Sequence, residues 1–368
     1  MALAEDWTVY CRCKRWRASS NLKKSALIIL VLLVILSYQL GLHLHLAARS
    51  YYTDFRYPLD IPMGPLLEKL SNGEDPGIKP INLYNHRFKI LNRNKCQNSD
   101  GHYVKVRLLI VVKSALNRVA LRQTIRSTWG YEKRFSDVTI RRVFMLGTNP
   151  SDPELQDQID VESSSYRDIV QADFLDTYFN NTVKTMLAYK WAFTNCPDAQ
   201  YLLFADDDMY ISVKNILKFI RNPENYNQGN VEVLGFGDNE FSDRMLCGYV
   251  FFSAPQRHLM GKWFVSLEEY PYSKYPPYVA GGAYILNFAA LQDLYYTSMY
   301  TQHFRLDDVF IGILARKAEI TPYHVNEIHF YKKPYDKSGY SRVLASHGYS
   351  DPTELLSVWM EQKSLGAA

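Results

Sequence analysis

The chain has no charge surplus beyond its first residues. It holds 42 lysines and arginines against 38 aspartates and glutamates. Arg12, Lys14, Arg15, Arg17, Lys23 and Lys24, against Glu5 and Asp6, account for the whole excess, so the body is electrically balanced. A neutral body lacks the basic surface that a phosphate backbone demands, which excludes nucleic acid as a partner. No glycine-rich loop follows the first predicted strand, which counts against a dinucleotide fold or a P-loop. There is no internal repeat. Cysteine is scarce, with five in 368 residues. Cys96, Cys196 and Cys247 allow one bridge with one left over, and their pairing stays open.

Eleven apolar residues do run unbroken over 26–36, and softer apolar sequence continues to Ala48, interrupted by Ser37, Gln39, His43 and His45. The stretch matches the roughly 20 residues that cross a bilayer. Its basic flank leaves the N-terminus in the cytosol. The chain thus divides into a cytosolic tail (1–24), a transmembrane signal-anchor (25–48), a stem (49–101) and a lumenal catalytic domain (102–368). A cleaved signal peptide is the alternative, but Leu46 fits poorly before Ala47-Ala48 as a cleavage site. A short, weakly polar span suits thin early secretory membranes. Cys11 and Cys13 would be cytosolic, as palmitoylation sites or plain thiols. Asn180-Asn181-Thr182 is a sequon, so Asn180 is a glycosylation candidate.

Proline and glycine pairs such as Gly64-Pro65, Asp75-Pro76-Gly77 and Lys79-Pro80 break any periodicity over the stem, which reads as a spacer. From residue 102 the pattern changes. Predicted strands at 104–112, 143–146, 169–174 and 201–204 alternate with predicted helices at 118–129, 154–163, 177–193 and 211–221. This indicates an α/β fold with a parallel sheet covered on both faces. Further on, 231–236 reads as a strand and 307–317 as an amphipathic helix.

Asp206-Asp207-Asp208 end the fourth of these strands. Adjacent carboxylates at a strand's C-terminal edge offer the hard oxygen ligands that Mn²⁺ or Mg²⁺ needs. An acidic solvated turn is the bland alternative. Arg122 and Arg126 share a helix face, where their forks suit phosphate or uracil oxygens. Asp173 closes a strand and would accept from a base or ribose. Asp176 reads as a helix cap, and Lys184 would reach a phosphate. Asp307 and Asp308 open a helix, as capping acids or with Asp308 as a general base. Tyr275-Pro276-Pro277-Tyr278 before Gly281-Gly282 reads as a rigid turn and then a close backbone approach.

These segments resemble the Golgi β1,3-glycosyltransferases of glycosyltransferase family 31. The blocks are Arg122-Gln-Thr-Ile-Arg126-Ser-Thr-Trp129-Gly130, Val143-Phe-Met-Leu-Gly147, Asp173 to Thr185, Phe204-Ala-Asp-Asp-Asp208, Tyr275 to Tyr284, and Asp307-Asp308-Val-Phe-Ile-Gly312. The stretches at 130–137 and 265–271 and the ending around Ala345-Ser-His347 are similar to the invertebrate brainiac type of β1,3-N-acetylglucosaminyltransferase. The resemblance implies a GT-A-type (Rossmann-like) mixed sheet with helices on both faces, Mn²⁺, and inversion at the sugar carbon. It implies transfer of GlcNAc from UDP-GlcNAc to a β-linked mannose or galactose of a glycolipid core. A UDP-galactose-dependent β1,3-galactosyltransferase, and a non-catalytic lumenal binder or chaperone of the same fold, are the alternatives. Asp206 and Asp208 match the outer acids of the metal motif, with Asp207 between them toward the cofactor, and Asp308 matches the base. Asp307 stands where many members have glutamate. His324 and His329 are both open as a further metal ligand. Golgi membrane residence as a single-pass type II protein follows, and a homodimer stays open.

Overall fold

The computed structural model describes residues 5–223, 231–232 and 243–368, with side chains over 22–223 and 243–368. Residues 233–236 of the predicted strand at 231–236 and the side chains of Cys11 and Cys13 lie outside it. The chain forms two units. One is Met1–Phe55 with Ser253–Lys274, and the other is Arg56–Phe252 with Tyr275–Ala368.

The first unit holds helices α1 (Glu5–Gln39), α2 (Leu42–Leu46) and α3 (Tyr51–Asp54). Within α1, Leu22–Gln39 is long and apolar enough to cross a membrane, and none of that stretch is buried. The helix ends at Gln39, and Gly41 then turns the backbone at a φ of 70°, a conformation open to glycine.

The second unit begins with α4 (Met63–Ser71) and β1 (Phe88–Ile90). Then come β2 (Val106–Lys113), α5 (Val119–Ser127), β3 (Ile140–Thr148), α6 (Pro153–Tyr166) and β4 (Ile169–Leu175). Helix α7 (Asn181–Asn195) leads to β5 (Ala199–Asp206), β6 (Tyr210–Ile211), α8 (Val213–Arg221), β7 (Val231–Glu232) and β8 (Leu246–Phe251). The chain closes with β9 (Tyr278–Asn287), α9 (Phe288–Met299), α10 (Asp307–Lys317), β10 (Tyr323–Val325), β11 (Ile328–His329), β12 (Ala345–Ser346) and α11 (Pro352–Ser364).

Among the described residues, nine strands make one sheet in the order β1-β4-β3-β2-β5-β9-β8-β10-β7. The β4-β3-β2-β5 half is parallel, with helical crossovers, and β9 enters antiparallel to both β5 and β8. This is the mixed α/β architecture expected. Alternate residues of β2 separate the two faces, as strand geometry requires. Leu108, Ile110 and Val112 pack with Leu121 and Ile125 of α5, Ile216 and Phe219 of α8, and Trp359 of α11. Leu109 and Val111 are equally buried and point to the opposite side, where α7, α9 and α10 pack on one another and on the sheet.

Folded pieces occur within the expected stem (49–101). Residues from Arg56 onward belong to the folded unit. Met63, Leu66 and Leu67 of α4 are buried, and α4 packs on α9. The Ile81 and Asn82 amides both donate to the Met299 carbonyl. Strand β1 adds to the sheet beside β4. Cys96 and Cys196 form a disulfide across 100 residues, which leaves Cys247 buried as a thiol. The Pro and Gly breaks end helices and strands locally but leave the intervening pieces free to pack.

Candidate active site

The parallel strands end at one edge, and β5 ends there in Asp206. Lys113, the last residue of β2, pairs with Asp206 in register. Its Nζ lies 3.2 Å from Asp206 Oδ1 and 2.8 Å from Asp307 Oδ2. Burial pulls the Lys113 ammonium down, but the two aspartates more than offset it and hold its proton tightly. Desolvation raises Asp206 to about 6, with Lys113 opposing and Asp307 and Asp208 adding to the rise.

Asp207 turns away from its neighbours. Ser114 Oγ donates to its Oδ2 at 2.7 Å, the Ala115 amide donates to the same oxygen, and Arg118 lies 3.6 Å from its other oxygen. The turn after β2 therefore hangs on Asp207. Arg122 and Lys184 hold the same turn. Arg122 donates to Ser114 Oγ and to the Ala115 and Leu116 carbonyls, and forks onto Glu162. Lys184 donates to the Ser114 carbonyl at 2.9 Å and pairs with Asp176 at 2.6 Å. Arg126 pairs with Glu162 and Asp168. Arg122, Arg126 and Lys184 thus spend their charge on the protein. Arg122 and Lys184 also shape the turn.

Asp173 is exposed at the end of β4. Asp176 accepts from the Gly147 amide at 2.9 Å. A Cβ on Gly147 would lie 2.8 Å from the Phe174 carbonyl oxygen, so only glycine admits this approach. Asn180 precedes α7, and its side-chain amide donates to the Leu175 carbonyl at 2.8 Å. Thr182 of its sequon is buried, donating to the Phe304 carbonyl.

Asp208 is left with an unmatched oxygen. Its Oδ1 is buried without a hydrogen-bond partner, a costly state unless something fills it. His347 Nε2 lies 3.4 Å away. The three-stranded sheet of β11, β12 and β6 delivers this histidine, since Ala345 and Ser346 pair with Ile211 and Tyr210 just past the aspartates. The Tyr349 amide then donates to the Asp208 carbonyl at 2.8 Å. Gly348, between them, makes the turn at a φ of 93°.

His324 has other partners. Its Nδ1 accepts from the Val250 amide at 3.1 Å and its Nε2 pairs with Asn326 at 3.0 Å, so both ring nitrogens are used. His329 lies on β11, its Nε2 buried and unpartnered, and burial lowers it to about 4. The ending around His347 carries no local signal for a role at this site, whereas Lys113, a lysine closing an apolar strand, does carry one.

Gly281 and Gly282 of β9 lie just before Ala283, which pairs with Ala205. A Cβ on Gly281 would meet Asp308 Cβ at 3.5 Å, and one on Gly282 would meet the His347 ring at 3.4 Å. The two glycines thus bring the acids of α10 and His347 to one place. Asp307 accepts from Lys113 and, at 3.1 Å, from Thr185 Oγ1. Asp308 Oδ1 accepts from the Val309 amide at 2.8 Å.

An oxygen left without a donor and an imidazole facing it suit a divalent cation. Among the described residues, no three such side chains form a ready-made cage. That is the usual arrangement where substrate phosphates and water complete the shell.

The galactosyltransferase family model matches residues 120–326, more than half of the chain. The β1,3-galactosyltransferase brn of Drosophila melanogaster is 39% identical over 344 residues, covering 93% of this chain and 96% of its own. A lactosylceramide 1,3-N-acetyl-β-D-glucosaminyltransferase B of Danio rerio is 34% identical over 277 residues, covering 72% of this chain and 67% of its own. Among solved structures, the galactosyltransferase LgtC overlaps 70% of this chain and 99% of its own at a TM-score of 0.35 and 11% identity. The matched segment holds the β5 aspartates, the two glycines and the acids of α10, and the chain belongs to the galactosyltransferase family, the β1,3-hexosyltransferases of glycosyltransferase family 31.

Proposed function

We propose that the protein is an inverting, Mn²⁺-dependent β1,3-glycosyltransferase that moves GlcNAc from UDP-GlcNAc to a β-linked mannose or galactose of a glycolipid core. It works in the Golgi lumen as a single-pass type II protein anchored by α1. One juxtaposition carries the chemistry. Asp308 faces one of the paired glycines, while His347 faces the other and lies 3.4 Å from an Asp208 oxygen that has no hydrogen-bond partner.

Asp208 and His347 would hold the metal, with Asp206 alongside, and the ion would supply the positive charge that offsets the diphosphate's. Asp308 takes the proton from the acceptor's 3-hydroxyl. Burial and the Asp307 charge push Asp308 up to about 7, with the Val309 amide opposing, which makes it a competent base near neutral pH. Lys113 holds Asp307 ionised beside it. Asp207, Arg122 and Lys184 keep the turn after β2 in place. Attack from the face opposite UDP converts an α-linked donor into a β-linked product. Asn180 is the proposed glycosylation site, and exposed Asp173 remains a proposed base or ribose contact.

A second reading, with UDP-galactose as donor, is favoured by the name of the Drosophila relative, a β1,3-galactosyltransferase. The purified chain is incubated with Mn²⁺, an aryl β-mannoside or β-galactoside, and each donor in parallel, and the product is read by NMR. A β1,3-linked GlcNAc product supports the first reading. A galactose product moves the donor to the second, and no transfer from either donor sinks both.

A further inference from the structure

We propose that the Ser253–Lys274 loop is a second membrane contact, its tip inserting apolar side chains into the interfacial layer of the leaflet from which α1 emerges. This rests on the reading of α1 as a membrane span.

The loop leaves β8 and returns to β9, and it belongs with the N-terminal helices in one compact unit. Its interior is built around Arg257. That side chain is 1% exposed and donates to four carbonyls of its own loop, those of Val265, Ser266, Tyr270 and Tyr272. Arg257 thus closes the loop into a fixed shape. The base of the loop is laced to the chain after α2. The Arg49 amide donates to the Pro271 carbonyl, and the Ser273 amide donates back to the Arg49 carbonyl, both at 2.8 Å.

The tip is bonded to the end of the span. The Leu259 amide donates to the carbonyl of Gln39, the last residue of α1, at 3.2 Å. Gly41 is pressed against the same place. A Cβ there would fall 2.0 Å from the Arg257 carbonyl oxygen. The 18 residues of Leu22–Gln39 rise about 27 Å as a helix, against a hydrocarbon core of roughly 30 Å. Gln39 therefore sits at the edge of the core, and whatever is bonded to it lies at headgroup depth.

What lies there is apolar and open. Met260 is 84% exposed, Trp263 45% and Leu259 36%. Leu40, Leu42 and Leu46, from the chain just past the span, are also exposed. Lys262 sits with its ammonium 5.6 Å from the Trp263 ring centre. A tryptophan with a neighbouring lysine, among leucines and a methionine, is the composition that settles at a membrane interface. Water would be a poor solvent for such a patch, and the bilayer is already beside it.

The test uses the full chain with Cys11→Ser and Cys13→Ser, reconstituted into phosphatidylcholine vesicles. An environment-sensitive fluorophore is attached either at Met260→Cys or, in the span, at Val31→Cys. The Cys96–Cys196 disulfide and buried Cys247 do not compete for label. Met260 is so exposed that its exchange disturbs no packing. Lipids carry a spin quencher on the headgroup or deep in the acyl chain. The expected result is a blue-shifted Met260 probe quenched by the headgroup label, with the Val31 probe quenched by the deep label. A quenched Val31 probe with a water-like, unquenched Met260 probe overturns the loop contact and leaves the anchor standing. If neither probe is quenched, the anchor reading falls and the loop contact falls with it.

Discussion

Lys113 Nζ donates to Asp307 Oδ2 at 2.8 Å, tying the end of β2 to the first turn of α10. The contact gives two neighbouring acids different proton affinities. Burial pushes Asp307 up, but Lys113 and Thr185 more than offset it and hold it below the ordinary range. Asp308, desolvated and next to that fixed charge, rises to about 7.

A pH profile should show this directly. Asp308 accepts a proton only when ionised, so kcat/KM is expected to fall as pH drops through about 7. Asp307→Asn removes the charge that raises Asp308, and the acid limb should then move to lower pH. Asp308→Asn should cost about 10²–10⁴-fold in turnover while UDP still binds. An acid limb that stays put in Asp307→Asn would show that the two acids do not communicate.

Local signals made parts of this site legible in the sequence. Helix α10 begins with Asp307 and ends with Lys317 as expected, because acids at its start and bases at its end complement its dipole. The aspartates end β5 because an apolar strand stops where charge begins. What failed to read out was partnership. Arg122 and Lys184 are the right residue types for phosphate, but Glu162 and Asp176, which claim them, come together only in the fold. The segment from Arg56 looked like a spacer because its partners, Cys196, β4 and Met299, lie far along the chain. His347 reaches Asp208 only through a sheet of very short strands, which leave almost no periodicity to detect.

Two histidines should part company in metal-linked binding. His347→Ala removes the imidazole facing Asp208 and is expected to weaken the Mn²⁺-dependent affinity for UDP, read by calorimetry. Asp208→Ala should abolish it. His324→Ala should leave that affinity near normal, since the ring serves Val250 and Asn326. Equal losses from His347→Ala and His324→Ala would remove His347 from the metal site.

The arginine cluster should matter for stability. Arg122 is fully buried and forks onto Glu162, so Glu162→Ala leaves a buried cation uncompensated. A loss of about 3–5 kcal/mol is expected in denaturant unfolding. Burial raises Glu162 and Asp168, but the arginines more than offset it and hold both below the ordinary range. Their stabilisation is therefore present above the unfolded carboxyl values, about 4, and is lost as pH falls through the lower folded ones. Glu162→Gln should make acid unfolding less steep. A wild-type acid dependence in that variant would mean the cluster is not what acid disrupts.

Two glycines give opposite expectations for the same substitution. Gly348 turns the chain between His347 and Tyr349 at a φ of 93°, and a Cβ there would lie 2.8 Å from Lys332 Cβ. Gly348→Ala must either strain that turn or move it, and His347 moves with it. The variant should lose more than about 1 kcal/mol of stability and part of the Mn²⁺-linked UDP affinity. Gly64 sits in α4 with nothing within 4 Å of its added Cβ. Gly64→Ala should gain about 0.5–1 kcal/mol from the backbone entropy that glycine loses in a helix, with UDP binding unchanged. Thermal melts of the two variants, followed by calorimetry with Mn²⁺ and UDP, separate the cases. If Gly348→Ala were stable and still bound UDP normally, the turn would not be what holds His347 against Asp208.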